Sequence, residues 1–346
     1  MAEPTPTRSP VRLALVLSLA VALTACATDD REPLVVYSPH GKELLTAYEE
    51  AFEAAHPEVD VQWLDMGAQE AYERIRTERA NPQASVWWGA PQVTFQKAAD
   101  EDLLAPITPS WAEAVPAEAR DAQGRWWGTY LTPEGFLVNT EAVDSTDWPR
   151  DWDDLLDPRW DDRVLIRYPL ASGTMRTIWG ALIQRQPTVE EGFEWLARLD
   201  AHTKGYAADP TQLYLRVARG EADVTLWNMP DTYVQIEESG YPFAFVLPES
   251  GTPVLVDGIA VVAGAPQPEL AERFVEFVTT QEALLDQARR FYRIPARTDI
   301  PRDSLPAWIA ETDVRPMDLD WDALAANEND WMQRWDETIK GQGDRR

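Results

Sequence analysis

One cysteine, three histidines and no long apolar run beyond the N-terminal region set the first limits on this 346-residue chain. A single cysteine cannot form an internal disulfide, so stability must come from packing. His40, His56 and His202 are scattered, and with one thiol they form no cluster of metal-ligand spacing. The chain contains no G-x-S-x-G and no H-E-x-x-H, the signatures of a nucleophile elbow and of a zinc protease helix. Positive charge is scarce: 31 Lys+Arg stand against 59 Asp+Glu, a formal net charge of −28. Such a surface repels nucleic acid and anionic lipid. After the first 25 residues no apolar stretch has the length of a transmembrane helix.

What is present begins at the N-terminus. Arg8 and Arg12 precede an apolar run from Leu13 to Leu23, broken by Ser18. The run is too short to span a bilayer stably and reads as a secretory signal, residues 1–25. Its ending, Leu23-Thr24-Ala25-Cys26, resembles a bacterial lipobox, which implies that Cys26 carries lipid and becomes the first mature residue. Loss of residues 1–25 leaves 29 basic against 58 acidic side chains, a net −29. Residues 26–33, with Thr28-Asp29-Asp30-Arg31-Glu32-Pro33, read as the tether. The remaining length exceeds what one core comfortably holds, so two domains are expected.

Strand and helix patterns alternate along the mature chain. Leu34 to Tyr37 is an apolar β-type run, and Leu44, Leu45, Tyr48 and Phe52 repeat at helical spacing after it. Val59 to Leu64 alternates as a strand, Ala68 to Ala80 is a helix, and Ser85 to Trp88 is a third strand. Thr129 to Leu131 and Phe136 to Asn139 are β-type runs around Thr132-Pro133-Glu134-Gly135. A second series follows: strand Val164 to Ile166, helix Thr174 to Arg185, a Thr188/Glu191 capping box, an Asp209-Pro210 helix start and strand Asp223 to Trp227. Val254 to Val256 and Ile259 to Val262 flank Asp257-Gly258, and helices and a Trp-rich tail complete the chain. Strands alternating with helices predict α/β lobes with largely parallel sheets.

Several phrases in this order resemble the type-2 periplasmic solute-binding proteins of ABC importers. They are V-V-Y-S-P-H-G at Val35 to Gly41, S-V-W-W-G-A-P at Ser85 to Pro91, P-E-G-F-L-V-N-T at Pro133 to Thr140, L-A-S-G-T-M at Leu170 to Met175 and G-E-A-D-V-T-L-W-N at Gly220 to Asn228. The likeness is to the branch of ferric-iron, sugar-phosphate and aminoethylphosphonate binders. It implies two α/β lobes joined by two crossing strands, placed near Leu131 to Val138 and Val254 to Val261, with Gly135 and Gly258 as hinge candidates. Lobe one would comprise residues 34–131 and about 259–300, lobe two 132–258, and 301–346 a helical tail packed on both. The resemblance also implies a monomer that delivers a small solute to a permease and ATPase, with no cofactor and no chemistry of its own.

In open parallel sheets, ligands lie beyond the carboxyl ends of the strands. That rule selects Ser38, His40 and Gly41, then Trp88 and Gly89, then Ser172, Gly173 and Thr174, then Trp227 and Asn228. Ser172-Gly173-Thr174 opens a helix, where free amides and hydroxyls suit a phosphate, phosphonate or carboxylate, and Arg176 is close enough in sequence to add charge. Trp88, Trp127 and Trp227 are candidates to stack on an organic body, although tryptophans near strands are more often core. Asp209, Asp231 and Asp257 offer acceptors for hydroxyls or an amine, with Asp257 ranked first for its place at a predicted crossing. The iron binders of the family place a carboxylate after the third strand and a tyrosine pair after the G-E-x-D strand. Here those positions read Gly89-Ala90 and Met229-Pro230-Asp231, which removes the hard anionic ligands of a ferric ion. The expectation is an anionic phosphorylated or phosphonylated solute and no metal. Ferric iron held with a synergistic anion and an extracellular carbohydrate-active enzyme, which needs paired carboxylates, stand as the alternatives.

Overall fold

The computed structural model describes Met1 and residues 31–341. The signal segment and Cys26 lie outside the described residues. Strand β1 (Glu32–Ser38) starts two residues earlier than the sequence pattern predicts. The Glu32 amide donates to the Glu58 carbonyl, and Arg31 pairs with Glu53 and Asp60, so the end of the expected tether is fixed to the fold.

In the first half, β1 pairs in parallel with β2 (Val59–Asp65) and β3 (Val86–Pro91). Helices α1 (Lys42–Ala55), α2 (Ala68–Thr77) and α3 (Gln92–Asp100) alternate with them. Each helix buries one apolar stripe; in α1 it is Leu44, Leu45, Tyr48 and Phe52. After β4 (Leu104–Ala105) the chain runs into β5 (Trp127–Asn139). The second half holds β6 (Val164–Arg167), α4 (Gly173–Gln184), α5 (Val189–His202), β7 (Thr203–Ala207), α6 (Pro210–Ala218), β8 (Val224–Asn228), α7 (Met229–Glu237) and β9 (Phe243–Val246). Then β10 (Val254–Val262), α8 (Pro268–Val278), α9 (Gln281–Arg290) and β11 (Ile294–Pro295) return to the first half. Two helices follow, α10 (Ala307–Glu311) and α11 (Trp321–Thr338).

The strand path is β2-β1-β3-β10-β5-β8-β6-β7, with parallel pairs toward each end and antiparallel pairs in the middle. The middle is where the chain passes between the halves. Pro133-Glu134-Gly135, which the sequence suggests is a break, lies within one strand. Pro133 is the last residue of β5 in register with β10, and Glu134 is the first in register with β8. A proline is tolerated where a strand changes partner. Likewise Asp257-Gly258 is a bulge inside β10, not a turn. Both glycines have packing reasons: a Cβ on Gly135 would lie 2.5 Å from the Val246 carbonyl oxygen, and one on Gly258 2.8 Å from the Phe95 ring.

Two hydrophobic clusters form. One gathers residues around β1, β3, the first half of β5, and α8; the other surrounds the second half of β5, β6, β8, and α4. The tail makes a further connection. Thr252 exchanges backbone bonds with Arg315 and Met317, and α11 then inserts Met332 and Trp335 into the second cluster while lying against both α3 and α4.

Candidate functional site

Each parallel β-α unit leaves a strand by its carboxyl end and starts a helix at the same edge. Repeated in two facing lobes, this brings six helix N-termini to one cleft: the N-caps of α1, α2, α3, α4, α6 and α7 (Gly41, Gly67, Pro91, Ser172, Asp209 and Asn228) all line it. The cleft holds about 570 Å³, a volume suited to a small organic molecule. Every helix start presents unpaired amides and roughly +0.5 of a charge. Side chains cap the lobe-two helices: Ser172 Oγ accepts from the Met175 amide at 3.3 Å, Asp209 from Gln212 at 2.9 Å, and Asn228 from Asp231 at 2.8 Å. The three lobe-one caps supply no side-chain bond.

Two arginines face the same space. Arg167, at the end of β6, is buried, and its guanidinium donates to the carbonyls of Ala207 (3.2 Å) and Ala171 (3.4 Å) while Nε has no partner. Burial lowers its pKa from the usual arginine value, opposed by Asp209 and Tyr214. Arg293, carried back to the cleft just before β11, pairs with Asp231 at 3.3 Å, lies 5.9 Å from the Tyr130 ring centroid, and also leaves Nε unpartnered. On the floor, Thr132 donates to Asp257 at 2.8 Å. Burial raises the pKa of Asp257 to about 6, against the opposing pull of Arg293 and Thr132. Glu134 is fully buried, with neither carboxylate oxygen partnered; burial, then Asp257 and Asp231, push it well above the usual carboxylate range.

Of the residues selected from sequence, His40, Gly41, Ser172, Gly173, Thr174, Asp209, Trp227, Asn228 and Asp257 line the cleft. Four others do not. Ser38 lies buried beneath the loop, where its hydroxyl accepts from the His40 amide at 3.2 Å. Gly89 acts by its missing side chain: its φ is +104° and a Cβ would sit 2.6 Å from His40 Nε2. Trp88 is fully buried, edge-on to Tyr48 and Phe274, so it cannot stack on a ligand. Within β3 the Trp87 and Trp88 side chains are core, and the strand reaches the cleft through Ala90 and Pro91 at its end. Arg176 is turned away and pairs with Glu328 at 2.9 Å on α11. Trp127 is core as well.

Three residues of the site, Arg167, Arg293 and Glu134, do not follow from the strand-end rule applied to the sequence. Arg167 was one residue past the apolar strand Val164 to Ile166, and the strand-end rule reaches it once the strand is extended. Arg293 follows a helix in an irregular segment and had no signal. Glu134 lies in Thr132-Pro133-Glu134-Gly135, which reads as a break in sequence and is continuous strand in the structure. His40 keeps its imidazole neutral, because burial and then Arg293 push its pKa well below the usual value.

A second cavity of about 520 Å³ lies on lobe one, lined by His56, Ile107, Glu269, Glu272 and Glu276. His56 caps the far end of α1, so this cavity is remote from the helix N-termini.

The family description "Bacterial extracellular solute-binding protein" matches residues 91–327, more than half of the chain. The chain belongs to that family. Among the relatives of this solute-binding protein is a probable ABC transporter periplasmic-binding protein of Sinorhizobium fredii, 26% identical over 332 residues, covering 94% of this chain and 91% of the relative. A putative 2-aminoethylphosphonate-binding periplasmic protein of Salmonella typhimurium is 26% identical over 292 residues, covering 80% and 82%. In fold, the solute-binding protein is similar to the periplasmic binding protein AfuA from Actinobacillus pleuropneumoniae, solved with fructose-6-phosphate, at a TM-score of 0.77 and 22% identity over 89% of this chain and 98% of that one. The architecture is the two-lobed α/β fold of type-2 periplasmic binding proteins.

Proposed function

We propose that the cleft captures an organic solute bearing a phosphate or phosphonate group, and that the chain hands this solute to a permease and ATPase without chemical change. The observation that carries this reading is the convergence of six helix N-termini on a cleft that also holds Arg167, a buried guanidinium with no carboxylate partner among the described residues. Amides at the start of α4 and the Arg167 guanidinium are donors of the kind that a tetrahedral anion accepts from. The names of the Salmonella relative and of the fructose-6-phosphate complex point to ligands with such a head. The reading includes lipid attachment at Cys26 and a monomeric chain.

A melting-temperature screen tests it. A ligand that binds the folded state alone stabilises it by about 2.7 kcal/mol at a hundred times Kd. Phosphorylated and phosphonylated solutes are expected to raise the melting temperature. Failure of every such compound, with a rise in ferric citrate, would replace this reading with iron capture.

A further inference from the structure

Glu134 has no role in holding an anion, and its placement asks for a different partner. Residues at alternate positions of a strand share a face, so Tyr130, Thr132 and Glu134 project to one side of β5. Thr132 stands opposite Leu255 in β10, Tyr130 opposite Asp257, and Glu134 opposite Asn228 in β8. Directly opposed residues also share a face. Thr132, Leu255, Asp257 and Asn228 all line the cleft, so Glu134 shares their face of the sheet and lies directly beneath the lining. It is fully buried and neither of its oxygens has a hydrogen-bond partner. The charged groups around it are Asp257 on β10 and Asp231 on α7, with Arg293 already paired to Asp231.

Asp257 accepts from Thr132, and Asp231 from Asn228 with Arg293 beside it, so Glu134 is the carboxyl group of the floor left without a donor. A buried carboxylate without a donor is strongly unfavourable. A phosphate would add to the repulsion. Among the described residues no three acidic or imidazole groups are spaced to hold a metal ion. A ligand ammonium, with three N–H donors and one positive charge, supplies what the floor lacks.

We infer that Glu134, Asp257 and Asp231 form a receptor for an alkylammonium group, so that the solute is an amino-bearing phosphate or phosphonate with its two charged ends at opposite sides of the cleft. The inference rests on the anion reading above and extends it to the other end of the molecule. Burial, then Asp257 and Asp231, hold the Glu134 carboxyl well above the usual carboxylate range, so in this proposal it is protonated before a solute arrives. As the ammonium binds, that proton leaves to solvent, and the carboxylate so formed accepts from the ammonium N–H groups. No bond to nitrogen is made or broken.

Calorimetric titration of the full chain with 2-aminoethylphosphonate, with propylphosphonate (a methyl in place of the ammonium) and with fructose 6-phosphate tests this. The aminophosphonate is expected to bind at least about tenfold more tightly than propylphosphonate, the scale of a charge-assisted contact. Glu134→Gln should bring the two within about threefold. In buffers of different ionisation enthalpy the wild type should release close to one proton on binding the aminophosphonate, and Glu134→Gln none. Thermal unfolding checks that the variant folds; should it fail, Asp257→Asn is expected to shrink the same ratio. Equal affinity for the aminophosphonate and propylphosphonate, or a preference for the sugar phosphate, overturns the ammonium receptor and leaves the anion site standing. Absence of binding by all three overturns both.

Discussion

Arg167 and Arg176 lie nine positions apart, on either side of the loop that opens α4, and they have opposite fates. Arg167 ends a strand whose carboxyl edge meets the cleft, and among the described residues no carboxylate is bonded to it there. Arg176 is inside the helix, and its side chain bonds the Leu170 carbonyl and Glu328 instead. Nearness to the Ser172 loop in sequence favoured the wrong one, because the tail that captures Arg176 arrives some 150 residues later. The burial of Trp88 is likewise set by distant elements, since Tyr48 of α1 and Phe274 of α8 pack edge-on against it. Asp257 yields a prediction at this scale. Its folded pKa is raised to about 6 from 3.8, mainly by burial. A raised carboxyl binds its proton more tightly folded than unfolded, so its contribution to stability is full below about pH 4 and is lost as pH rises through 6. Relative to Asp257→Asn, the empty wild type should lose about 2 kcal/mol between pH 4 and 7, allowing for the water that reaches this carboxyl. Denaturant titrations at pH 4, 5, 6 and 7 measure it. Parallel pH profiles for the two proteins would show that Asp257 is not perturbed.

Among the elements, α4 and β5 matter most. Apolar periodicity and caps made the alternating helices and strands readable, since each depends on neighbours within a few residues. The continuity of β5 and β10 was not readable. Pro133 and the Asp257-Gly258 bulge are local interruptions that only their cross-strand partners override. The helix N-termini could be placed at the cleft because parallel β-α units all share that polarity. The first turn of α4 also touches the other lobe: a Cβ on Gly173 would meet Pro91 Cγ at 2.8 Å. Gly173→Ala should therefore leave stability unchanged or raise it, since alanine favours the helix. It should also hold the lobes slightly apart and weaken solute binding by an order of magnitude. Calorimetry with small-angle scattering of the free protein tests this; unaltered affinity would mean the lobes need not meet there.

For the whole molecule, the sequence order of strands and helices was enough to suggest two lobes and a cleft. The way the tail returns was not legible in detail. α11 buries Trp335 against Trp179 and Tyr206 in the second core and lies along α3 as well, a set of long-range contacts that no local pattern encodes. The acidic surface suits a protein held close to an anionic membrane without adhering to it. The proposed attachment at Cys26 predicts that Cys26→Ala moves the protein from membrane to soluble fractions; persistence in the membrane would exclude lipidation as the anchor. The account as a whole stands on the capture of a tetrahedral anion by helix amides and a buried arginine. Titration of the wild type and Arg167→Met with a phosphonate and a sugar phosphate tests this most directly. At least one compound should bind the wild type at a single site and bind Arg167→Met at least about tenfold more weakly, with the variant's melting temperature maintained. Equal affinity for both proteins would contradict it.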